Sequence, residues 1–238
     1  MSVEEPGFNT GVISPTDCLK TGWQTIKDEY WLFLGIALVG MLIASVGPFG
    51  ILAGPAMCGI YICMLRRIDG KRVEFGMLFE GFNHFVQSLI ATLILIIPSM
   101  VLVVIVYVVI FVIGLVLAGS SRDGGSSIAT VVSLILSLLL IVVITLVSLL
   151  LGVLFMFTYP LIVDRKMQGV DAVKLSVKAA RANLKGAIGL QLLSMLLSFA
   201  GALVCCIGMY FVVPITMAAA AIAYRQVFPA HHDPEARS

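Results

Sequence analysis

The stretch FVQSLIATLILIIPSMVLVVIVYVVIFVIGLVLAGSSR, residues 85–122, carries no charge until Arg122 closes it. An α-helix rises about 1.5 Å per residue, so about 20 apolar residues cross the hydrocarbon core of a bilayer. This stretch is longer than that. Three more uncharged stretches flank it: 31–65, 124–163 and 187–224. Together they place the chain in a membrane.

Composition agrees. Of the 238 residues, 60% are hydrophobic and only 12% charged, with a mean hydropathy of +1.09. Soluble domains carry roughly 25% charged residues, and a soluble chain this apolar would have no polar surface to present. No basic run with interleaved aromatics points to nucleic acid. The first 30 residues show no charged n-region followed by a short apolar core and a small-residue cleavage site. The first span is therefore expected to act as an uncleaved anchor. Four of the five cysteines, Cys58, Cys63, Cys205 and Cys206, sit in apolar stretches and read as buried small hydrophobes. A soft-metal or redox reading of Cys205-Cys206 lacks a second ligand pair at metal spacing.

Breaks within the stretches set the number of spans. Gly47-Pro48 and Gly50 divide the first stretch, because proline removes a backbone donor and ends or kinks a helix. Gly201 or Gly208 divides the last. The expected spans are about 31–46, 49–66, 86–118, 128–163, 187–205 and 208–225. They lie in a membrane domain over 14–228, with disordered tails at 1–13 and 229–238. The fourth span has no central breaker and at 36 residues would run about 54 Å, so it tilts or projects. With six spans, fourteen of the fifteen Lys and Arg fall on one side; the exception is Arg122, in the polar turn 119–127. The positive-inside rule makes that side cytoplasmic, with both termini there.

A repeat shows in the segments before spans one and five. Leu19, Trp23, Ile26 and Tyr30 mark one helix face, and Val173, Val177, Ala180 and Leu184 repeat it at an offset of 154. Ser14-Pro15 is a good N-cap and N1 pair. Lys20 matches Lys174, Lys27 matches Arg181, Gly35 matches Gly189 and Gly47 matches Gly201; after five extra residues, Pro55 matches Pro214 and Arg66 matches Arg225. Phe75, Phe79, Phe82, Val86 and Leu89 make a third apolar face, with Glu80, Asn83, His84 and Gln87 away from it. The expected fold is all-α: a polytopic transmembrane helical bundle of six spans, with amphipathic interfacial helices preceding three transmembrane hairpins.

Candidate functional residues follow from this plan. Lys174, Lys178, Arg181 and Lys185 form a basic stripe beside the Val173–Leu184 apolar stripe, a pattern that meets anionic lipid in the headgroup plane or docks on the bundle with its charges solvated. In span four, Thr130, Ser133, Ser137, Thr145, Ser148 and Gly152 share about a third of the helix circumference. In span five, Gln191, Ser194, Ser198 and Gly201 do likewise. Small and hydroxylated residues let helices approach closely; the other reading is a weakly polar solute path, with Pro55 and Pro214 opening backbone carbonyls toward it. No ionisable group lies at mid-membrane depth, which lowers the case for an ion-coupled transporter. Glu80 with His84, and Asp164 at the membrane surface, are the thin catalytic candidates. No catalytic, cofactor-binding or metal-binding motif is present.

Gly54-Pro55 with Gly59, Phe79-Glu80-Gly81-Phe82 and Tyr159-Pro160-Leu161-Ile162-Val163-Asp164 resemble an uncharacterised bacterial family of six-span membrane proteins. So do Ala172 to Ser176 with Asn183, Cys206-Ile207-Gly208 with Pro214, and Ala223-Tyr224-Arg225. That family is similar to the membrane domain preceding the catalytic domain in some glycerophosphodiester phosphodiesterases. The similarity covers roughly residues 15–228; the catalytic domain has no counterpart here, so no hydrolase activity carries over. The resemblance implies a multi-pass protein of the bacterial plasma (inner) membrane. The leading expectation is a non-enzymatic protein that organises membrane lipids, anionic ones included, or partner proteins or further copies of itself at the cytoplasmic face. A channel or transporter for a small or apolar solute, and a lipid-headgroup enzyme, are the alternatives.

Overall fold

A computed structural model of the chain describes residues 7–46, 50–120, 127–204 and 207–229. Among the described residues there are helices and turns and no strand. In chain order they are α1 (Pro15–Ile26), a 3-10 turn at Lys27–Glu29, α2 (Tyr30–Val46), α3 (Ala53–Ile68), a 3-10 segment at Phe75–His84, α4 (Phe85–Ser120), α5 (Ser127–Phe155), α6 (Thr158–Asp164), α7 (Gly169–Ala182), α8 (Leu184–Val204) and α9 (Gly208–Val227). Five stretches are long and apolar enough to cross a membrane: Pro15–Val46, Phe75–Leu115, Leu134–Asp164, Leu184–Leu203 and Gly208–Val227.

The chain divides into two compact units, Met1–Thr92 with Val153–Ser238, and Leu93–Gly152. The second holds most of α4 and α5. Most large side chains on it are exposed and the rest half-buried; among the described residues only Val106 is buried. An apolar exterior with no charge is what acyl chains wet. The expected hydroxyl stripe lies here. Ser137 donates to the Leu134 carbonyl at 2.9 Å and Thr145 to that of Ile141 at 2.8 Å, so both bond within their own helix. Ser148 is exposed, and the side chain of Ser133 lies outside the described residues.

The first unit is built around α3, α6 and α9. From Gly54 to Leu65, α3 is buried at every position except Met57. Each central helix carries a short segment on its flank: the 3-10 segment packs on α3, α7 on α6 and α1 on α9. Glycines permit this. A Cβ at Gly81 would collide with the Pro55 carbonyl, and one at Gly59 with the Leu78 carbonyl. In the apolar layer there is little hydrophobic drive between helices, so backbone proximity and the packing it allows decide association.

Three sequence expectations change. First, α1, expected as an interfacial helix, packs along α9. Cys18 meets Gln226, Gly22 meets Ala219 and Tyr30 meets Phe211, so α1 and the start of α2 run antiparallel along α9. Second, the segment 75–84 is 3-10, not α. At three residues per turn, Leu78 and Gly81 face α3, Met77 and Glu80 reach Arg66, and Phe79 stacks on Phe82 with centroids 6.5 Å apart. The predicted apolar face therefore splits, and Phe75, Phe79 and Val86 are exposed. Third, the fourth span breaks at Met156–Phe157. The Ser176 hydroxyl bridges the break, donating to the Leu154 carbonyl at 2.8 Å and accepting from the Phe157 amide at 3.2 Å.

Residues 7–13, expected as part of a disordered tail, form a strap. The Asn9 amide donates to the Val227 carbonyl at 2.9 Å and its side chain to the Gln226 carbonyl at 3.1 Å. These are orphan acceptors at the end of α9. Pro214, inside α9, removes the donor for the Tyr210 carbonyl. One residue on, the Phe211 carbonyl accepts the Tyr30 hydroxyl at 2.6 Å, supporting the locally weakened ladder. Pro55 sits in the first turn of α3, where a missing N–H costs nothing.

Candidate functional site

The ends of α3, α6 and α9 converge in an ionic layer. Arg225, near the C-terminus of α9, donates through Nη2 to Asp69 and through Nη1 to Asp164, each at 2.8 Å. The Tyr224 hydroxyl donates to the same Asp164 oxygen at 2.7 Å. A guanidinium suits this role because its planar fork offers several donors to two carboxylates at once. The Arg225 Nε is buried and without a partner. Beside the cluster, Arg165 lies over the Phe228 ring at 5.1 Å, and Phe157, Tyr224 and Phe228 pack together. Asp164, read in the sequence as a lone carboxylate, is thus an ion-paired bridge between two helix ends.

Two further pairs extend the layer. Arg66 reaches Glu80 at 2.8 Å and Met77 Sδ at 3.1 Å. Arg67 reaches Glu29 at 3.3 Å and donates through Nε to the Thr25 carbonyl at 3.0 Å. Glu80 is therefore turned to Arg66. In a 3-10 segment, residues four apart no longer share a face, so Glu80 and His84 do not form the i, i+4 pair that an α-helix would make. Among the described residues no cluster of three His, Cys, Asp or Glu could hold a metal ion. Cys18, Cys58 and Cys63 are buried free thiols.

Beside this layer α7 forms a platform held at three points. Its first amide, Gly169 N–H, donates to Gln87 Oε1 at 2.9 Å. Its middle is held by Ser176 across the break between α5 and α6. At its C-cap, Asn183 donates to the carbonyls of Asn9 and Ala179 at 3.0 Å and accepts from the Val12 amide at 3.3 Å. Ala172, Val173, Leu175, Ala179 and Ala180 are buried beneath it. Lys174, Lys178 and Arg181 on α7, and Lys185 just beyond it at the start of α8, are all exposed. The apolar face is consumed by protein, and the basic face is presented outward on a rigid base.

The other sequence candidates scatter. Gln191, Ser194 and Ser198 are half-buried on α8, Ser137 belongs to the other unit, and Pro55 and Pro214 lie in different helices. Cys205 and Cys206 lie outside the described residues. Sequence reasoning did not single out Asp69, Tyr224, Gln87, Ser176 or Asn183 for these contacts. Ser176 left one signal, a hydroxyl on the apolar side of α7 between Val173 and Ala180. The chain matches no family model, and it has no match among curated proteins or solved structures.

Proposed function

We propose that this chain is a six-span, non-enzymatic protein of a bacterial plasma membrane, with both termini cytoplasmic. It organises anionic lipid or acidic partner proteins at that face through the basic edge of α7. The carrying observation is that α7 is clamped by Gln87, Ser176 and Asn183 while Lys174, Lys178, Arg181 and Lys185 face out. Cations near an anionic leaflet contribute about 1 kcal/mol each.

Parity supports six crossings over five. Asn9 precedes the first span and bonds Val227 at the end of the last, so both belong to one membrane face. Glu29 before α2 pairs with Arg67 at the end of α3. Arg225 joins the ends of α3, α6 and α9. Each hairpin therefore returns to the face it left, and the crossing number is even. The sixth crossing is α3, whose 16 residues rise about 24 Å. That is shorter than the hydrocarbon core, and Arg66 and Arg67 at its end can snorkel.

The helix plan supports a repeat. α7 begins 154 residues after α1, and α8 begins 154 residues after α2. Gly22 and Ser176, at the same offset, both lie where a flanking segment meets its central helix. α1 packs on α9 as the 3-10 segment packs on α3 and α7 on α6. The solute-path reading has less support, since the Ser137 and Thr145 hydroxyls bond their own helix. So does the headgroup-enzyme reading, since Glu80 and Asp164 are held in ion pairs.

The test is thermal unfolding of the detergent-solubilised protein as phosphatidylglycerol or phosphatidylcholine is added. A ligand that binds only the folded state raises the midpoint. Phosphatidylglycerol should stabilise the native protein more, in a salt-dependent way, and Lys174→Glu with Arg181→Glu and Lys185→Glu should lose most of that difference. An unchanged difference sinks the reading.

A further inference from the structure

The three flanking segments present different outer faces. On α7 the apolar side is covered by protein and the outer side is basic. The 3-10 segment differs on its outer side. Leu78 and Gly81 occupy its inner side, and its outer side is aromatic. Phe79 is 51% exposed and Val86, just beyond it, 62% exposed. Phe79 and the half-buried Phe82 stack, with ring centroids 6.5 Å apart. Phe75 covers α2 at Gly35, where a Cβ would lie 3.6 Å from its ring. One turn along α2, Trp31 is 74% exposed.

Two cations precede this face. The turn after α3 is closed by Gly70, at φ +73°, and by the Lys71 amide donating to the Arg66 carbonyl at 2.9 Å. Lys71 and Arg72 leave that turn exposed, and neither joins an ion pair among the described residues. Nearby carboxylates are otherwise engaged: Glu80 with Arg66 and Asp69 with Arg225. Glu74 is the acidic side chain left between the cations and the aromatic face.

From this arrangement we infer that residues 71–86 form an anionic-phospholipid edge. It goes beyond the α7 platform but rests on the membrane reading above. Phe79, Phe82 and Val86 lie among acyl chains, and Lys71 and Arg72 hold the phosphate. Continuity names the occupant. Phe75 begins the single apolar stretch Phe75–Leu115 that is long and apolar enough to cross a membrane, so the outer side of this segment is the start of a candidate span and its occupant is lipid. Basic residues beside an aromatic face combine the two attractions that bind a segment in the interface plane. α7 lacks the apolar half, because protein has taken it.

The first experiment reads depth. With Trp23 and Trp31 replaced by Phe, a single tryptophan is placed by Phe79→Trp, or by Val104→Trp on α4, and the protein is reconstituted in phosphatidylcholine brominated along its acyl chains. Bromolipid should quench both reporters, and aqueous acrylamide should quench neither strongly. Quenching at Val104→Trp alone overturns the lipid edge. Quenching at neither overturns the membrane reading itself.

The second experiment reads the headgroup, in protein already carrying Lys174→Glu, Arg181→Glu and Lys185→Glu, so that most of the contribution of the basic edge beside α7 is removed. Phosphatidylglycerol should raise the unfolding midpoint more than phosphatidylcholine does. Adding Lys71→Glu with Arg72→Glu should remove at least half of that difference. An equal difference in the two proteins overturns the phosphate contact. An equal rise with inorganic phosphate alone overturns a lipid as its source.

Discussion

Gly22 on α1 lies so close to Ala219 on α9 that an added Cβ would stand 2.9 Å from the Ala219 amide nitrogen. The obstacle is backbone, which cannot swing aside as a flexible side chain can. Gly22→Val should therefore push α1 off α9 and lower stability by about 1–3 kcal/mol. Gly76 has open space around it, so Gly76→Ala should leave the thermal midpoint nearly unchanged. Equal shifts for the two variants, measured in detergent, would show that the close approach does not hold α1 in place.

Removing Arg225 strands two carboxylates. Its side chain is 12% exposed, and those of Asp69 and Asp164 are 29% and 21% exposed. Arg225→Gln should destabilise by about 1–3 kcal/mol, limited by the remaining access to water. Arg225→Lys should recover only part of the loss, because one ammonium cannot reproduce the fork. Full recovery with Lys would mean that net charge, rather than bridging geometry, matters here.

The strap and the α7–α8 junction share one set of bonds. Asn183→Ala removes the contacts to Asn9 and Val12 and should cost about 1–2 kcal/mol. Deleting residues 1–13 removes the same contacts from the other side. The double variant should therefore be less destabilised than the sum of the two changes. Strict additivity would separate the strap from the junction.

Sidedness is open to labelling in intact cells. Single cysteines at Thr10, Lys71 and Lys166 should all be shielded from a membrane-impermeant thiol reagent. A cysteine at Gly124 in the 119–127 turn should react. Reaction at Lys71 together with Gly124 would break the even-crossing topology.

The long spans could be read from sequence because each charged side chain kept out of the hydrocarbon counts by itself. The boundaries of α2 and α9 fall within about two residues of their expected positions. The 3-10 segment could not be read the same way. Its phenylalanines have helical spacing, but Gly59 and Gly81 let α3 come close enough to override that local preference. The break at Met156–Phe157 carries no Gly or Pro; it persists because Ser176, twenty residues on, takes up the loosened backbone groups. Asp164 looked isolated for the same reason, since its partners lie some 60 residues away, at Tyr224 and Arg225.

The amino-acid sequence alone settled that this chain is helical and suited to a bilayer. Hydropathy is a local free energy, paid residue by residue, so a linear reading captures it. Tertiary structure decided which side of each short flanking segment meets protein: the apolar side of α7 went inward, and the aromatic side of 75–86 stayed out. That choice depends on backbone approach between residues distant in the chain, which no local pattern encodes.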